Sequence, residues 1–84
     1  MADLHKYAKK ASEDLHIPLK GCLNVNDLIR IYYSLHILMG GDNKLMRHWL
    51  NVHNTHLGFN PASRLCDKKS VQKIIGYLED FINH

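Results

Sequence analysis

The sequence predicts an all-α domain, a compact bundle of four to five helices with an ordered loop between the third and fourth. Three observations carry this expectation. Val71, Ile74, Ile75, Leu78, Phe81 and Ile82 recur at spacings of three, four and seven, the period of one face of an amphipathic helix. The run from Leu28 to Met39 is apolar on nearly every side and continues without a turn signal for longer than most strands do. Asn24, Gly40-Gly41, Asp42, Asn60-Pro61 and Asp67 fall where helices start and stop.

From Asp3 to about Leu15, the apolar positions Leu4, Tyr7, Ala8, Ala11 and Leu15 mark a first helical face. Pro18 and Gly21 interrupt it, so residues 16–24 read as a connector. Asn24 or Asn26 caps the central apolar helix, which Gly40-Gly41 closes by supplying left-handed backbone. Asp42 caps a short helix from Asn43 to about Leu50, with Leu45, Met46, Trp49 and Leu50 on one face and Lys44, Arg47 and His48 facing outward. Residues 51–60 lack periodicity and carry turn residues, so they form an irregular, ordered loop. Pro61 suits the first position of a short helix to about Cys66, with the Asn60 side chain accepting from an orphan amide. Asp67 caps the last helix, in which Gly76 costs about 1 kcal/mol against alanine and suggests close approach of another backbone.

A chain of 84 residues holds one domain, with 1–24 as N-terminal helix and connector and 25–84 as the main body. Its 45% hydrophobic and 23% charged content argues against both disorder and a membrane span. Met1 to Lys6 opens with charges rather than an apolar leader, which makes the cytoplasm the expected compartment. Cys22 and Cys66 lie far apart with no third or fourth partner, so they read as ordinary half-buried thiols rather than a disulfide framework or a Cys-rich zinc site. The formal charge is +3, and positive charge gathers in 41–66, where Lys44, Arg47 and Arg64 face Asp42 alone. A nucleic-acid binder would show a denser basic stripe interleaved with aromatics, so nucleic acid is not the expected partner without a separate DNA-binding domain.

The order Gly41-Asp42, Trp49-Leu50, Asn54, Leu57-Gly58, Pro61, Leu65 and then an amphipathic helix resembles the central motif of the toxin-binding domain of the Xre/MbcA/ParS antitoxin family. The likeness covers about half the chain, and the central apolar helix more loosely. Two positions depart from the pattern: His53 stands where the family often has proline, and Phe59 where it often has a second glycine. The resemblance implies a domain without chemistry of its own that pairs with a cognate toxin, often a RES-type enzyme that degrades NAD, and occludes its cleft. Family antitoxins commonly carry an N-terminal helix-turn-helix, for which residues 1–40 are too short. Within the motif, Trp49, Leu50, Asn54, Leu57, Gly58 and Pro61 are expected to be structural: apolar anchors, a backbone-satisfying asparagine and a glycine for special dihedrals.

Occlusion needs an ordered surface that projects side chains into a cleft. The candidates for partner contact are Arg47, His53, His56, Phe59 and Arg64 around the loop, with Asn83 and His84 at the terminus. His48, His53 and His56 lack the helical spacing and the fourth ligand of a zinc site. Cys66 near His56 lacks an oxyanion loop or orienting carboxylate, so neither catalysis nor a cofactor is expected. A homodimer is compatible with the apolar excess of Leu28 to Met39. The alternative to an antitoxin is a free-standing adaptor of the same fold that binds another protein.

Overall fold

The computed structural model describes residues 4–83. Among them the chain forms four α-helices, α1 (Leu4–Leu15), α2 (Val25–Leu38), α3 (Asn43–Leu50) and α4 (Lys68–Ile82), with a 3-10 turn (Pro61–Arg64) between α3 and α4. The fold is all-α, as the periodicities predict. The pairing of strand type among the described residues is one isolated bridge, Asn54 with Phe59.

Local chemistry sets the helix ends. The Asn24 side chain accepts from the Asn26 amide at 2.7 Å to open α2, and Asp42 accepts from the amides of Lys44 and Leu45 at 3.0 and 3.2 Å to open α3. Gly40 and Gly41 take φ of 63° and 77°, and the Gly41 amide donates to the His36 carbonyl at 2.9 Å, closing α2. α1 ends with the same geometry but without glycine: His16 takes φ 58°, and the Ile17 amide reaches back to the Ser12 carbonyl at 3.1 Å.

Two expected caps differ. Asn60 precedes Pro61, but its side chain makes no cap bond and its Oδ1 is buried without a partner among the described residues. Its carbonyl takes the donors instead, from the Ser63 amide at 3.1 Å and the Ser63 hydroxyl at 2.6 Å, and the tighter turn ends at Arg64 rather than Cys66. At α4 the Asp67 carboxylate accepts from the Ser70 hydroxyl, and its own carbonyl receives the Val71 amide at 2.9 Å.

The core is one cluster. Leu28, Ile31 and Leu35 of α2 meet Val71, Ile74, Ile75 and Leu78 of α4, with Met46 and Leu50 of α3, Ala11 and Leu15 of α1 and Leu57 of the loop closing around them. Each large side chain contributes about 1.5 to 3 kcal/mol before entropy is subtracted. α1 packs on α2 and α3, and the 3-10 turn packs on α3 and α4. The contacts between α2 and α4 ascend both helices in the same sense: Asp27 meets Gln72 at 3.4 Å, then Arg30 meets Glu79 at 2.7 Å. The two helices therefore run parallel, with their first turns at the same end.

That parallel arrangement corrects the reading of the cysteines. Cys22, just before α2, and Cys66, just before α4, are joined in a disulfide with Cα atoms 4.9 Å apart. Both are exposed rather than half-buried. A separation of 44 residues hides a proximity that only the helix packing creates. Gly76 is corrected too: it lies on the solvent face of α4, and a Cβ there would meet nothing within 4 Å among the described residues. Leu4, Tyr7, Leu45 and Phe81, assigned to apolar faces by spacing, are about half exposed because they sit where their helices overrun or skirt the core. No described helix is long and apolar enough to cross a membrane.

Candidate functional site

The most chemically organised surface lies along α4 and the loop that follows α3. The loop is stiffened from within. Asn54 Oδ1 accepts from the amides of His56 and Leu57 at 2.9 and 3.0 Å, the Gly58 amide returns to the Asn54 carbonyl at 2.8 Å, and the Asn54 amide donates to the Phe59 carbonyl at 3.1 Å. Gly58 takes φ 87°, which a side chain rarely adopts. Leu57 is buried in the core, and Lys73 Nζ donates to its carbonyl at 3.0 Å. The loop is thus pinned to α4 by a side chain inward and an ammonium outward.

Rings gather on this support. Tyr77 stacks with Trp49 at 6.4 Å between centroids and with His56 at 5.9 Å, and Phe81 meets it edge-on at 5.0 Å. One turn before Tyr77, Lys73 lies 5.7 Å from the Phe59 centroid, and the Arg64 guanidinium lies 5.2 Å from the same ring. Such contacts are favourable by about 0.5 to 1 kcal/mol at exposed sites. Lys73, Tyr77 and Phe81 fall four residues apart, so they form one row along the helix. Beside the row, Leu38, Met39, Trp49, Tyr77, Leu78 and Phe81 line an apolar groove of about 290 Å³.

Three of the sequence-predicted contact residues meet here: His56, Phe59 and Arg64. His53 is exposed on the same loop. Arg47 does not face outward. It is half-buried and donates to the Asp14 carbonyl at 2.9 Å, because α1 crosses the face of α3 that spacing assigned to solvent. Asn83 is exposed away from this row, near Tyr33, Ile37 and Ile82, and His84 lies outside the described residues. Tyr77, Lys73 and Leu38 were not anticipated. The four-residue row on α4 was visible in the sequence, but nothing there said which side of the helix the loop would reach.

The groups displaced from their ordinary titration all have partners within the fold. The Tyr32 hydroxyl holds Asp14 below the ordinary carboxylate range, and burial with that bond pushes Tyr32 up to about 12. Glu79 raises Arg30, and the Ser70 hydroxyl lowers Asp67. Among the described residues no three His, Cys, Asp or Glu side chains gather to hold a metal. Cys66, bonded to Cys22, offers no thiolate in this state. What the surface offers is shape, aromatic area and positive charge for binding. No protein-family model matches the chain, and no curated protein matches it.

Proposed function

We propose that the chain is an antitoxin-like interaction domain, whose loop and α4 face bind a cognate toxin and cover its active-site cleft. The observation that carries this reading is the stiffened loop from Asn54 to Phe59, held against α4 so that His56, Phe59 and Arg64 project together with Tyr77. Interfaces draw their energy from a few ordered aromatic and arginine side chains, and ordering them in advance lowers the cost of association. The motif residues also support the resemblance: Asp42 and Asn54 satisfy backbone amides, Leu50, Leu57 and Pro61 are buried, and Gly58 holds left-handed backbone.

A RES-type enzyme that degrades NAD is the first partner to test, and this reading carries cytoplasmic residence with it. The experiment is co-expression of the tagged chain with the RES-type enzyme encoded nearest its gene. The expected result is co-elution and preserved cellular NAD. Separate elution with unchanged NAD loss overturns the reading.

One observation favours a second reading. An exposed disulfide belongs to oxidising surroundings rather than a reducing cytosol. It fits an adaptor of the same architecture that works on another protein outside the cytosol. Thiol labelling of the chain in intact cells separates the two: an unlabelled, bonded pair supports the adaptor, and two labelled cysteines support the antitoxin.

A further inference from the structure

We propose that the row from Phe59 to Phe81 takes an acidic peptide segment with apolar anchors, contributed by the partner protein. This rests on the reading of the loop and α4 face as a protein-binding surface, and adds the chemistry of what it binds.

Two features specify the occupant. The first is the apolar groove beside Tyr77 and Phe81, about 290 Å³, large enough for one or two side chains. Lys73 to Phe81 spans about 12 Å of helix at 1.5 Å per residue, which matches two turns of a partner helix with anchors three or four residues apart. The second is an excess of positive charge at one end of the row. Arg64 and Lys73 converge on Phe59, and neither stands in an ion pair among the described residues. Asp67, which accepts from Ser70, also attracts Arg64 without a direct ion pair, and Glu79 is bound by Arg30, so the two cations at this end outnumber the one carboxylate left to them. A segment whose anchors enter the groove and whose carboxylates reach Arg64 and Lys73 satisfies both features.

The same facts disfavour the other occupants. A second copy is an outcome that sedimentation distinguishes, since it would bury the apolar groove without answering the positive charge of Arg64 and Lys73 with a matching acidic segment. Single-stranded nucleic acid needs open ring faces for stacking. Here Tyr77 already stacks with Trp49 and His56 and Phe59 lies beneath two cations, which leaves Phe81 as the one largely exposed ring of the row.

The test is selection of a displayed random dodecapeptide library against the full, disulfide-bonded chain. Trp49, the only tryptophan, reports binding of the synthesised winners. The expected winners combine Leu, Phe or Trp with Asp or Glu. Replacing their acids by Asn and Gln should weaken binding at least ten-fold, and so should Arg64→Glu combined with Lys73→Glu. Arg64→Glu alone, which removes no hydrogen bond within the chain, should weaken it several-fold with an unchanged circular dichroism spectrum. Lys9→Glu on α1 should have no effect.

Winners without acidic residues, winners indifferent to Arg64→Glu and Lys73→Glu, or no enrichment at all overturn the proposal. A dimer in sedimentation that Phe81→Ser dissolves assigns the groove to a second copy and also overturns it. If a RES-type enzyme co-purifies equally with the wild type and the double variant, this proposal fails while the antitoxin reading stands. If acidic winners emerge but no such enzyme binds, only the antitoxin reading fails.

Discussion

The Tyr32 hydroxyl donates to the Asp14 carboxylate at 2.6 Å, fastening α2 to the last turn of α1, while Arg47 reaches the carbonyl of the same aspartate from α3 at 2.9 Å. Asp14 thus joins three helices. Its negative charge sits near a helix C-terminus, where it is unfavourable unless compensated. Lys10, one turn earlier at 3.5 Å, adds to the compensation.

This arrangement makes stability fall at both ends of the pH scale. The Tyr32 bond chiefly holds the Asp14 carboxyl below its ordinary range in the folded chain, so its contribution is present above the unfolded value and lost as pH drops through the folded one. Tyr32 is pushed up to about 12, chiefly by burial, so its contribution is full below about 10 and lost as pH climbs toward 12. Tyr32→Phe should cost about 1 to 2 kcal/mol at neutral pH and flatten the alkaline decline. Urea unfolding across the pH range checks both.

Removing the disulfide by Cys22→Ser with Cys66→Ser should lower stability by about 2 to 4 kcal/mol, since the bond closes a loop of 44 residues in the unfolded chain. Dithiothreitol should have a similar effect on the wild type. The helical circular dichroism should persist at low temperature, because the core does not include either sulfur. Urea midpoints under oxidising and reducing conditions measure the difference.

Three backbone substitutions should differ in sign. His16→Gly should stabilise by about 0.5 to 1 kcal/mol, because His16 occupies left-handed backbone that glycine adopts freely. Gly76→Ala should stabilise by about 1 kcal/mol, since the added methyl meets open space on a helix. Gly58→Ala should destabilise by about 1 to 2 kcal/mol because φ is 87° there, although space is open. Thermal melts rank all three.

The two arginines first grouped as partner contacts should separate. Arg47→Ala should cost about 1 to 2 kcal/mol of stability through the lost bond to α1. Arg64→Ala should stay within about 0.5 kcal/mol of the wild type and act on partner binding instead. Melting temperature and affinity, measured on the same preparations, distinguish these roles.

Helix positions were legible in the sequence because capping residues and apolar periods act locally. Asn24, Asp42 and Gly40-Gly41 stop or start helices through bonds that span only a few residues. The relative placement of helices was not legible, and apart from the local caps at Asn60 and Asp67 the misses follow from that. The Cys22–Cys66 bond, the crossing of α1 over Arg47, and the solvent side chosen by Gly76 all depend on how α2 and α4 align. The site was half legible for the same reason. His56, Phe59 and Arg64 lie on the loop and turn, where unusual residues stand out. Tyr77 and Lys73 lie on a helix whose register against that loop is decided by Leu57 entering the core.

The covalent link from Cys22 to Cys66 makes a ring of the intervening chain, with α2, α3 and the loop inside it and α1 and α4 attached as tails. A protease that cuts once at an exposed site in the ring, such as His53, therefore releases no fragment. The nicked molecule stays one covalent species until a thiol is added, and then parts into two pieces.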